Sequence, residues 1–167
     1  MDQSHLVLGI DPGLNTTGYG ILDFGGSQPR MIEAGVIRSK RSEELQNRLK
    51  SIHDGITDVL NSFDIAAVGI EELYSHYERP TTAIMMGHAR GVLCLAAGQQ
   101  GIKVCSYAAT QVKKMLTGNG RAPKAQVQMA ITRLLNLTEI PDPPDVADAL
   151  AIAMCHYYLS QRPASLT

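Results

Sequence analysis

Acidic residues stand at the ends of two apolar stretches of the chain, where a charge is costly to bury. Asp11 follows the apolar residues 6–10 and precedes a Pro-Gly turn, and Glu71 and Glu72 follow the apolar residues 65–70. A buried carboxylate costs free energy unless a partner pairs with it. The candidate partners are protein groups, water, a metal ion or phosphate, and the remainder of the chain must decide among them.

A second pair of acids lies near the end of the chain, in the stretch PPDVADALAIA. Asp145 and Asp148 are three residues apart, so on a helix both side chains project near one face. Asp145 could complement the dipole of the helix start, but Asp148 lies further in, next to the apolar residues 149–153. Any one of these acids alone is more often a cap or a surface charge than a metal ligand.

Four acids from three separate parts of the chain are harder to explain as isolated surface charges. Packed together, the four carboxyl groups would raise one another's pKa unless a cation neutralised them. Oxygen ligands without a His or Cys cluster favour Mg²⁺ or Mn²⁺ over zinc, and two such ions roughly 4 Å apart catalyse phosphodiester hydrolysis. The acids that predict such a site are Asp11, Glu71, Asp145 and Asp148.

The charges of this 167-residue chain are unevenly distributed, although the formal net charge is only −1. Residues 79–138 contain eight Lys or Arg and no Asp or Glu. Such segregation can form one basic surface, which a polyanionic substrate requires. A solvated helix face that happens to use Lys explains the pattern equally well, so charge alone leaves both interpretations open. The basic residues are Arg79, Arg90, Lys103, Lys113, Lys114, Arg121, Lys124 and Arg133.

Length and composition indicate one ordinary domain that is large enough to bury a core. No apolar run reaches the roughly 18 residues that a membrane span needs, which predicts no membrane partner. The three cysteines are scattered among apolar residues. They predict reduced thiols of a cytoplasmic protein rather than disulfides or a zinc site.

The pattern of elements predicts three strands, a helix, a strand, a helix, a strand and three final helices. This order indicates an α/β domain with a five-stranded mixed sheet. If the fourth strand lies beside the first, the ends carrying Asp11 and Glu71 are neighbours. Gly18 and Gly20 in the second strand would allow close backbone approach. The predicted strands are 5–11, 16–24, 31–39, 64–72 and 101–107, and the predicted helices are 42–62 with Ser42 as N-cap, 81–99, 108–117, 125–137 and 144–160.

Several motifs occur in order over nearly the whole chain, from about residue 6 to residue 160. They are GIDPG followed by TGYG, IEE at 70–72, ARG at 89–91, QVKK at 111–114, PKAQVQ and DVADALAIA. The full set closely resembles the RuvC-type Holliday junction resolvases. The resemblance implies an RNase H-like fold, α/β with a five-stranded mixed β-sheet flanked by α-helices. It also implies a homodimer that cuts two opposing strands of a four-way DNA junction with Mg²⁺.

The resemblance also implies roles for individual residues. Asp11 matches the first-strand aspartate and is expected to bridge two metal ions. Glu71 matches the fourth-strand glutamate and would bind one ion, whereas Asp145 and Asp148 match the pair on the last helix and would bind the other. Lys124 matches a basic position near the scissile phosphate, where it would stabilise developing charge.

DNA contacts are predicted from the same resemblance and from the basic segment. Lys113 matches a basic position that handles DNA near the cut. Tyr74 matches an aromatic position, usually phenylalanine, that is proposed to stack at the opened junction centre. The stretch SHYERPTTAIMM that follows is specific to this chain. The further predicted DNA contacts are Arg79, Arg90, Lys114 and Arg121.

The sequence therefore predicts a Mg²⁺-dependent endonuclease, with Mn²⁺ as a substitute and two ions in each active site. Symmetric nicking of a four-way junction would leave 5′-phosphate and 3′-hydroxyl ends. One nuclease domain is expected over residues 1–167, with its core at about 5–160 and a flexible tail at 161–167. The expected partners are junction DNA, a second copy of the chain and a branch-migration helicase complex.

Two other functions remain open from the residues alone. A junction-binding module without catalysis would not need all four acids, and metal-dependent nicking of a synthetic junction would exclude it. An actin-like or sugar-kinase-like ATP-binding domain also begins with an Asp-x-Gly loop. That class needs two such domains and a second phosphate loop, and nucleotide binding would reveal it.

Overall fold

A five-stranded mixed sheet forms the centre of the protein in a computed structural model that describes residues 4–73 and 79–161. The strand order is β3-β2-β1-β4-β5. The first three strands are antiparallel neighbours, whereas β4 is parallel to β1 and β5 is parallel to β4. The strands are β1 (Leu6–Asp11), β2 (Thr16–Asp23), β3 (Arg30–Arg38), β4 (Ile65–Glu71) and β5 (Lys103–Tyr107). The predicted mixed sheet is confirmed, including the neighbouring positions of the first and fourth strands.

Two layers of helices cover the sheet, each with its own buried apolar cluster. One layer contains the first two helices and the other contains the last three. The helices are α1 (Leu45–Ser62), α2 (Pro80–Gln99), α3 (Ala109–Thr117), α4 (Lys124–Leu134) and α5 (Pro144–Ser160). Of the helices in the described residues, none has both the length and the hydropathy needed to cross a membrane.

Two predicted helix ends are wrong. Ser42 does not cap α1, because residues 41–43 form a turn in which the Glu43 amide donates to the Lys40 carbonyl, and Glu44 is the N-cap. The predicted helix 125–137 is shorter, since Asn136 takes a left-handed conformation (φ 51°) that ends the helix. An asparagine tolerates this conformation better than most residues.

The strand alternation assigns side chains to the two faces of the sheet. In β1, Leu8 and Ile10 belong to the cluster under α1 and α2, so Gly9 and Asp11 face α5. Gly69 of β4 is the register partner of Gly9 and also faces α5, so Glu71 points to that side as well. Both acids therefore lie at neighbouring carboxyl ends on one face of the sheet.

Glycines allow α5 to lie directly on this face. A Cβ atom on Gly9 would be 2.0 Å from the Ala149 carbonyl oxygen, and one on Gly18 would be 2.1 Å from that of Asp145. The close approach predicted at Gly18 is confirmed. Every residue of α5 from Val146 to His156 is buried except Asp148, so the start of the helix is fixed against the sheet.

Candidate active site

Carboxylates from three elements meet at one edge of the sheet. Asp11 ends β1 and Glu71 ends β4, and both are partly buried. Gly18, the register partner of Asp11, contacts the backbone of Asp145. The first turns of α5 therefore carry Asp145 and Asp148 to the strand ends, as the sequence predicted.

The pKa values of the strand acids report this clustering. Burial raises the pKa of Asp11 to about 8, with further contributions from the charges of Glu71, Asp148 and Asp145, in that order, while Lys124 opposes the shift. Burial also raises the pKa of Glu71, and the charge of Asp148 raises it further. The charges of Lys113 and Lys124 lower this pKa. Carboxylates that repel one another at a partly desolvated edge favour a bound cation.

A lysine side chain supplies one cation within this cluster. Lys124 is the first residue of α4, and its Nζ lies 2.8 Å from Oδ2 of Asp148. The hydrogen bond to Asp148 raises the pKa of Lys124. The two side chains are 58% and 27% exposed, so the pair lies at the mouth of the site rather than in the core.

The oxygen donors fit a hard divalent cation such as Mg²⁺, because carboxylates are the ligands that Mg²⁺ prefers. The charges of Glu71, Asp148 and Asp145 together raise the pKa of Asp11 more than Lys124 lowers it. Lys124 alone therefore does not neutralise the cluster, and a further cation would. In residues 4–73 and 79–161, however, no three His, Cys, Asp or Glu side chains stand in metal-ligand geometry. The metal-ligand roles of Asp11, Glu71, Asp145 and Asp148 therefore stay a prediction.

A cleft of about 210 Å³ opens beside the acids between α3, α4 and α5. Charged residues form part of its lining, and apolar side chains form the rest. A phosphate at this cleft would meet ammonium groups within reach of the carboxylates, which is the charge arrangement that phosphodiester cleavage needs. The charged lining residues are Glu71, Lys113, Lys124 and Asp148, and the apolar ones include Val112, Val127, Ala151 and Ile152.

Three other predicted DNA contacts are exposed on the surface. Lys114 is exposed on α3, and Arg121 is exposed in the loop before α4. Arg79 is exposed immediately before α2. Tyr74 and residues 162–167 of the predicted tail lie outside the described residues, as does part of the chain-specific stretch. These DNA contacts stay predictions.

Arg90 occupies a different place from the other basic residues. Its Nε donates to the Glu71 carbonyl oxygen at 3.0 Å, and its terminal NH2 nitrogen donates to Ser106 Oγ at 2.5 Å. Its guanidinium group thus contacts the protein's own strand ends. No sequence pattern predicted this contact, and the DNA role of Arg90 stays a prediction.

Arg48 is a buried charged residue that was not among the predicted functional residues. It is 9% exposed, and its guanidinium donates to Ser39 Oγ at 3.1 Å, the Leu14 carbonyl at 3.4 Å and Asn15 Oδ1 at 2.5 Å. These bonds fix the loop that follows Asp11. A signal was available, because Arg48 lies one helical turn before Ile52 on the apolar side of α1.

This combination defines an RNase H-like nuclease: a mixed sheet of this order, acids at two adjacent parallel strand ends, and two more on a helix packed across them. The particular family follows from comparison with known proteins. The family model of the crossover junction endodeoxyribonuclease RuvC matches residues 7–156, and the chain belongs to this family. Because the chain belongs to the RuvC family, it is not the actin-like or sugar-kinase-like ATP-binding domain that the sequence had left open.

Individual relatives agree with this assignment. The chain is 53% identical over 157 residues to the crossover junction endodeoxyribonuclease RuvC of Rhodopirellula baltica, covering 94% of this chain and 88% of the relative. Its structure is similar to that of Thermus thermophilus RuvC, with a TM-score of 0.86, 34% identity and coverage of 93% and 95% of the two chains. The T. thermophilus RuvC in complex with Holliday junction substrate is similar with a TM-score of 0.89, 34% identity and coverage of 94% and 95%.

Proposed function

We propose that this chain resolves four-way DNA junctions by metal-dependent hydrolysis of two opposing strands. The observation that carries the proposal is the meeting of Asp11, Glu71 and Asp148 beside Lys124 at one sheet edge, in a chain of the RuvC family. A charged cluster of this kind is unfavourable for stability unless it has a ligand, which favours a catalytic role over a purely structural one.

The four carboxylates Asp11, Glu71, Asp145 and Asp148 would hold two Mg²⁺ ions, for which Mn²⁺ substitutes. Ions bound there would supply an activated water for in-line attack and would stabilise the leaving oxygen. The role of the carboxylates would be to hold the ions in place, because carboxylates alone would repel the phosphate. The proposed products carry 5′-phosphate and 3′-hydroxyl ends.

Lys124 is proposed to act on the phosphate itself. Its ammonium group pairs with the carboxylate of Asp148. When that carboxylate binds metal, the ammonium group can turn toward a phosphate oxygen, because its side chain is more than half exposed at the mouth of the cleft. There it would stabilise the negative charge that develops in the transition state.

The basic residues around the cleft are proposed to bind the DNA backbone. Lys113 lines the cleft, and Lys114 and Arg121 are exposed nearby, so all three can reach phosphates. Contacts of this kind position the duplex arms without reading their sequence. Arg79 would contact DNA at the start of α2, and Tyr74 would stack at the junction centre.

A homodimer is proposed because two opposing strands need two active sites. An apolar stripe on α2, interrupted by the exposed His88, supports this, since Ile84 and Leu95 recur on one helical face. Ile84 is 61% exposed and Leu95 is 55% exposed. A second copy of the chain would cover this stripe. We further propose that the whole chain is one nuclease domain that works in the cytoplasm with a branch-migration helicase complex.

The decisive experiment uses a labelled mobile four-way junction, incubated with the protein in Mg²⁺ or in EDTA, with the cut sites mapped. We expect paired nicks in opposing strands only in Mg²⁺. Glu71→Gln should abolish cleavage, whereas the same substitution at the exposed neighbour, Glu72→Gln, should leave it unchanged. Tight junction binding without metal-dependent nicking would instead support a binding module.

A further inference from the structure

Arg90 joins α2 to the ends of two strands. Its Nε donates to the carbonyl oxygen of Glu71 at 3.0 Å, and its terminal NH2 nitrogen donates to the hydroxyl of Ser106 at 2.5 Å. We propose that Arg90 is a positioning residue for cleavage, because this bridge from α2 fixes the backbone of Glu71 at the point where β4 ends.

Glu71 needs such support because its strand is unpaired on one side there. The pairing of β4 with β1 ends at Ile70, whose partner is Ile10. On the other side Glu71 is the last residue paired with β5, and the Glu72 amide makes the next bond, to the Tyr107 carbonyl at 2.9 Å. The bond from Arg90 therefore restrains a strand end that one neighbouring strand no longer holds.

Arg90 contacts the strand ends from the face of the sheet that α1 and α2 cover, which is opposite the cleft. Ser106 is the register partner of Ile70, whose side chain lies in the apolar cluster under α1 and α2. The Glu71 side chain points to the opposite face, toward α5. The guanidinium group thus supports the backbone of a proposed metal ligand without entering the catalytic cleft.

The chemistry of the bridge requires arginine. A guanidinium group presents several N–H donors in a rigid plane and can hold two acceptors in fixed geometry. A lysine retains the charge but offers a single flexible ammonium group. Arg90→Lys therefore separates the two roles, because a phosphate contact depends mainly on charge whereas the bridge depends on shape.

This inference rests on the proposed function, in which Glu71 binds metal. The test measures single-turnover cleavage of a four-way junction, junction affinity, and the Mg²⁺-induced rise in melting temperature without DNA. For Arg90→Lys we expect cleavage to fall about 10-fold or more and the Mg²⁺-induced rise to shrink, with junction affinity and its salt dependence unchanged. Arg30→Lys serves as the matched control and should change nothing, because Arg30 is exposed, lies outside the basic segment and pairs with Asp23 at the end of the sheet away from Asp11.

Ser106→Ala removes one acceptor and leaves the charge of Arg90 in place, so it tests the bridge even if Arg90 variants fold poorly. We expect a smaller loss of cleavage, and the double variant with Arg90→Lys should lose less than the product of the single losses.

Full cleavage by both variants, or a loss of junction affinity that parallels the loss of cleavage, would overturn the positioning role. A loss of cleavage that merely follows the unfolded fraction would do the same. If Glu71→Gln itself cleaved normally, the proposed function would fail rather than this inference alone.

Discussion

The ammonium nitrogen of Lys124 lies 2.8 Å from Oδ2 of Asp148, so an ion pair joins the first turn of α4 to α5 inside the candidate active site. A metal ion and an ammonium group compete for the same carboxylate oxygen. The ammonium group of Lys124 would therefore have two alternative partners. It pairs with Asp148 in the absence of metal, and it would contact a bound phosphate when metal occupies Asp148.

Lys124→Ala should affect cleavage more than binding. We expect single-turnover cleavage at saturating protein to fall about 10²-fold, the loss typical of a transition-state hydrogen-bond donor, while junction affinity falls only slightly. Because the acids lose their competing cation, the Mg²⁺ concentration for half-maximal stabilisation should also fall. Equal losses of binding and cleavage would reduce Lys124 to an ordinary phosphate contact.

The clustered acids predict that Mg²⁺ stabilises the protein in the absence of DNA. At about 100 times its dissociation constant, a ligand of the folded state adds about 2.7 kcal/mol, or roughly 5–10 °C in melting temperature for a chain of this size. Asp148→Asn should shrink this rise, since one charged ligand is lost. Asp58→Asn, on the far helix α1, is the control and should retain it. An unchanged Mg²⁺ response in Asp148→Asn would remove that residue from the metal site.

The contact between Gly18 and α5 predicts a strong effect of one methyl group. In Gly18→Ala the new Cβ would lie 2.1 Å from the Asp145 carbonyl oxygen, a backbone atom of α5 that leaves no room for it. We expect a loss of stability of at least about 2 kcal/mol and a loss of cleavage as α5 is displaced. The measurements are chemical denaturation and the junction cleavage assay.

Gly98→Ala is the matched control for this substitution. Gly98 lies within α2, and nothing is within 4 Å of its added Cβ. Alanine in a helix is favoured over glycine by up to about 1 kcal/mol, so this variant should be as stable as the parent or slightly more stable. A tolerated Gly18→Ala would show that α5 can move without harm to the site.

The parts of this site that sequence could predict are those that depend on pattern. Acids after apolar strands, and glycines where a helix must lie on the sheet, leave local signals at Asp11, Glu71 and Gly18. The ordered motifs then identified the family. These features could be predicted because they depend only on backbone register and burial, which leave local patterns in the sequence.

The parts that sequence could not predict depend on side-chain conformation and distant contacts. The bridge from Arg90 to Ser106 joins residues 16 positions apart, and the bonds from Arg48 cross 33 or 34 positions to the loop after Asp11. No local pattern encodes which acceptor a long cationic side chain reaches. The Lys124 ion pair escaped prediction for the same reason.

His156 predicts how stability depends on pH outside the active site. It is buried at the end of α5, its Nδ1 lies 2.7 Å from the Tyr107 hydroxyl, and burial, followed by the charge of Lys103, lowers its pKa. Below pH about 6.5 the unfolded chain therefore binds a proton that the folded chain does not. Stability should rise with pH through this window and fall as the pH drops below 6.5, by at most about 1.4 kcal/mol for each pH unit.

Denaturation of the parent and of His156→Gln between pH 5 and pH 8 checks this dependence. Glutamine can still accept a hydrogen bond from Tyr107 but does not titrate, so the variant should show a weaker loss on acidification. Identical pH profiles for the two proteins would show that His156 is not the group responsible.

The charged surface around the cleft predicts a steep dependence of junction affinity on salt. Each neutralised phosphate releases counterions, so the logarithm of the affinity should fall linearly with the logarithm of the salt concentration. Lys113 lines the cleft, and in the proposed complex it contacts the phosphate backbone of the DNA. Lys113→Ala should therefore weaken binding to all junction sequences alike and lower the salt slope by about one.

Binding isotherms across a salt series provide the measurement, with Lys50→Ala as the matched control. Lys50 forms an ion pair with Asp54 on the exposed surface of α1, outside the basic segment, so its removal should leave the slope unchanged. A sequence-dependent loss in Lys113→Ala would mean that this residue reads bases. A flat salt dependence of the parent protein would contradict the basic surface itself, because phosphate contacts by lysine cannot be independent of salt.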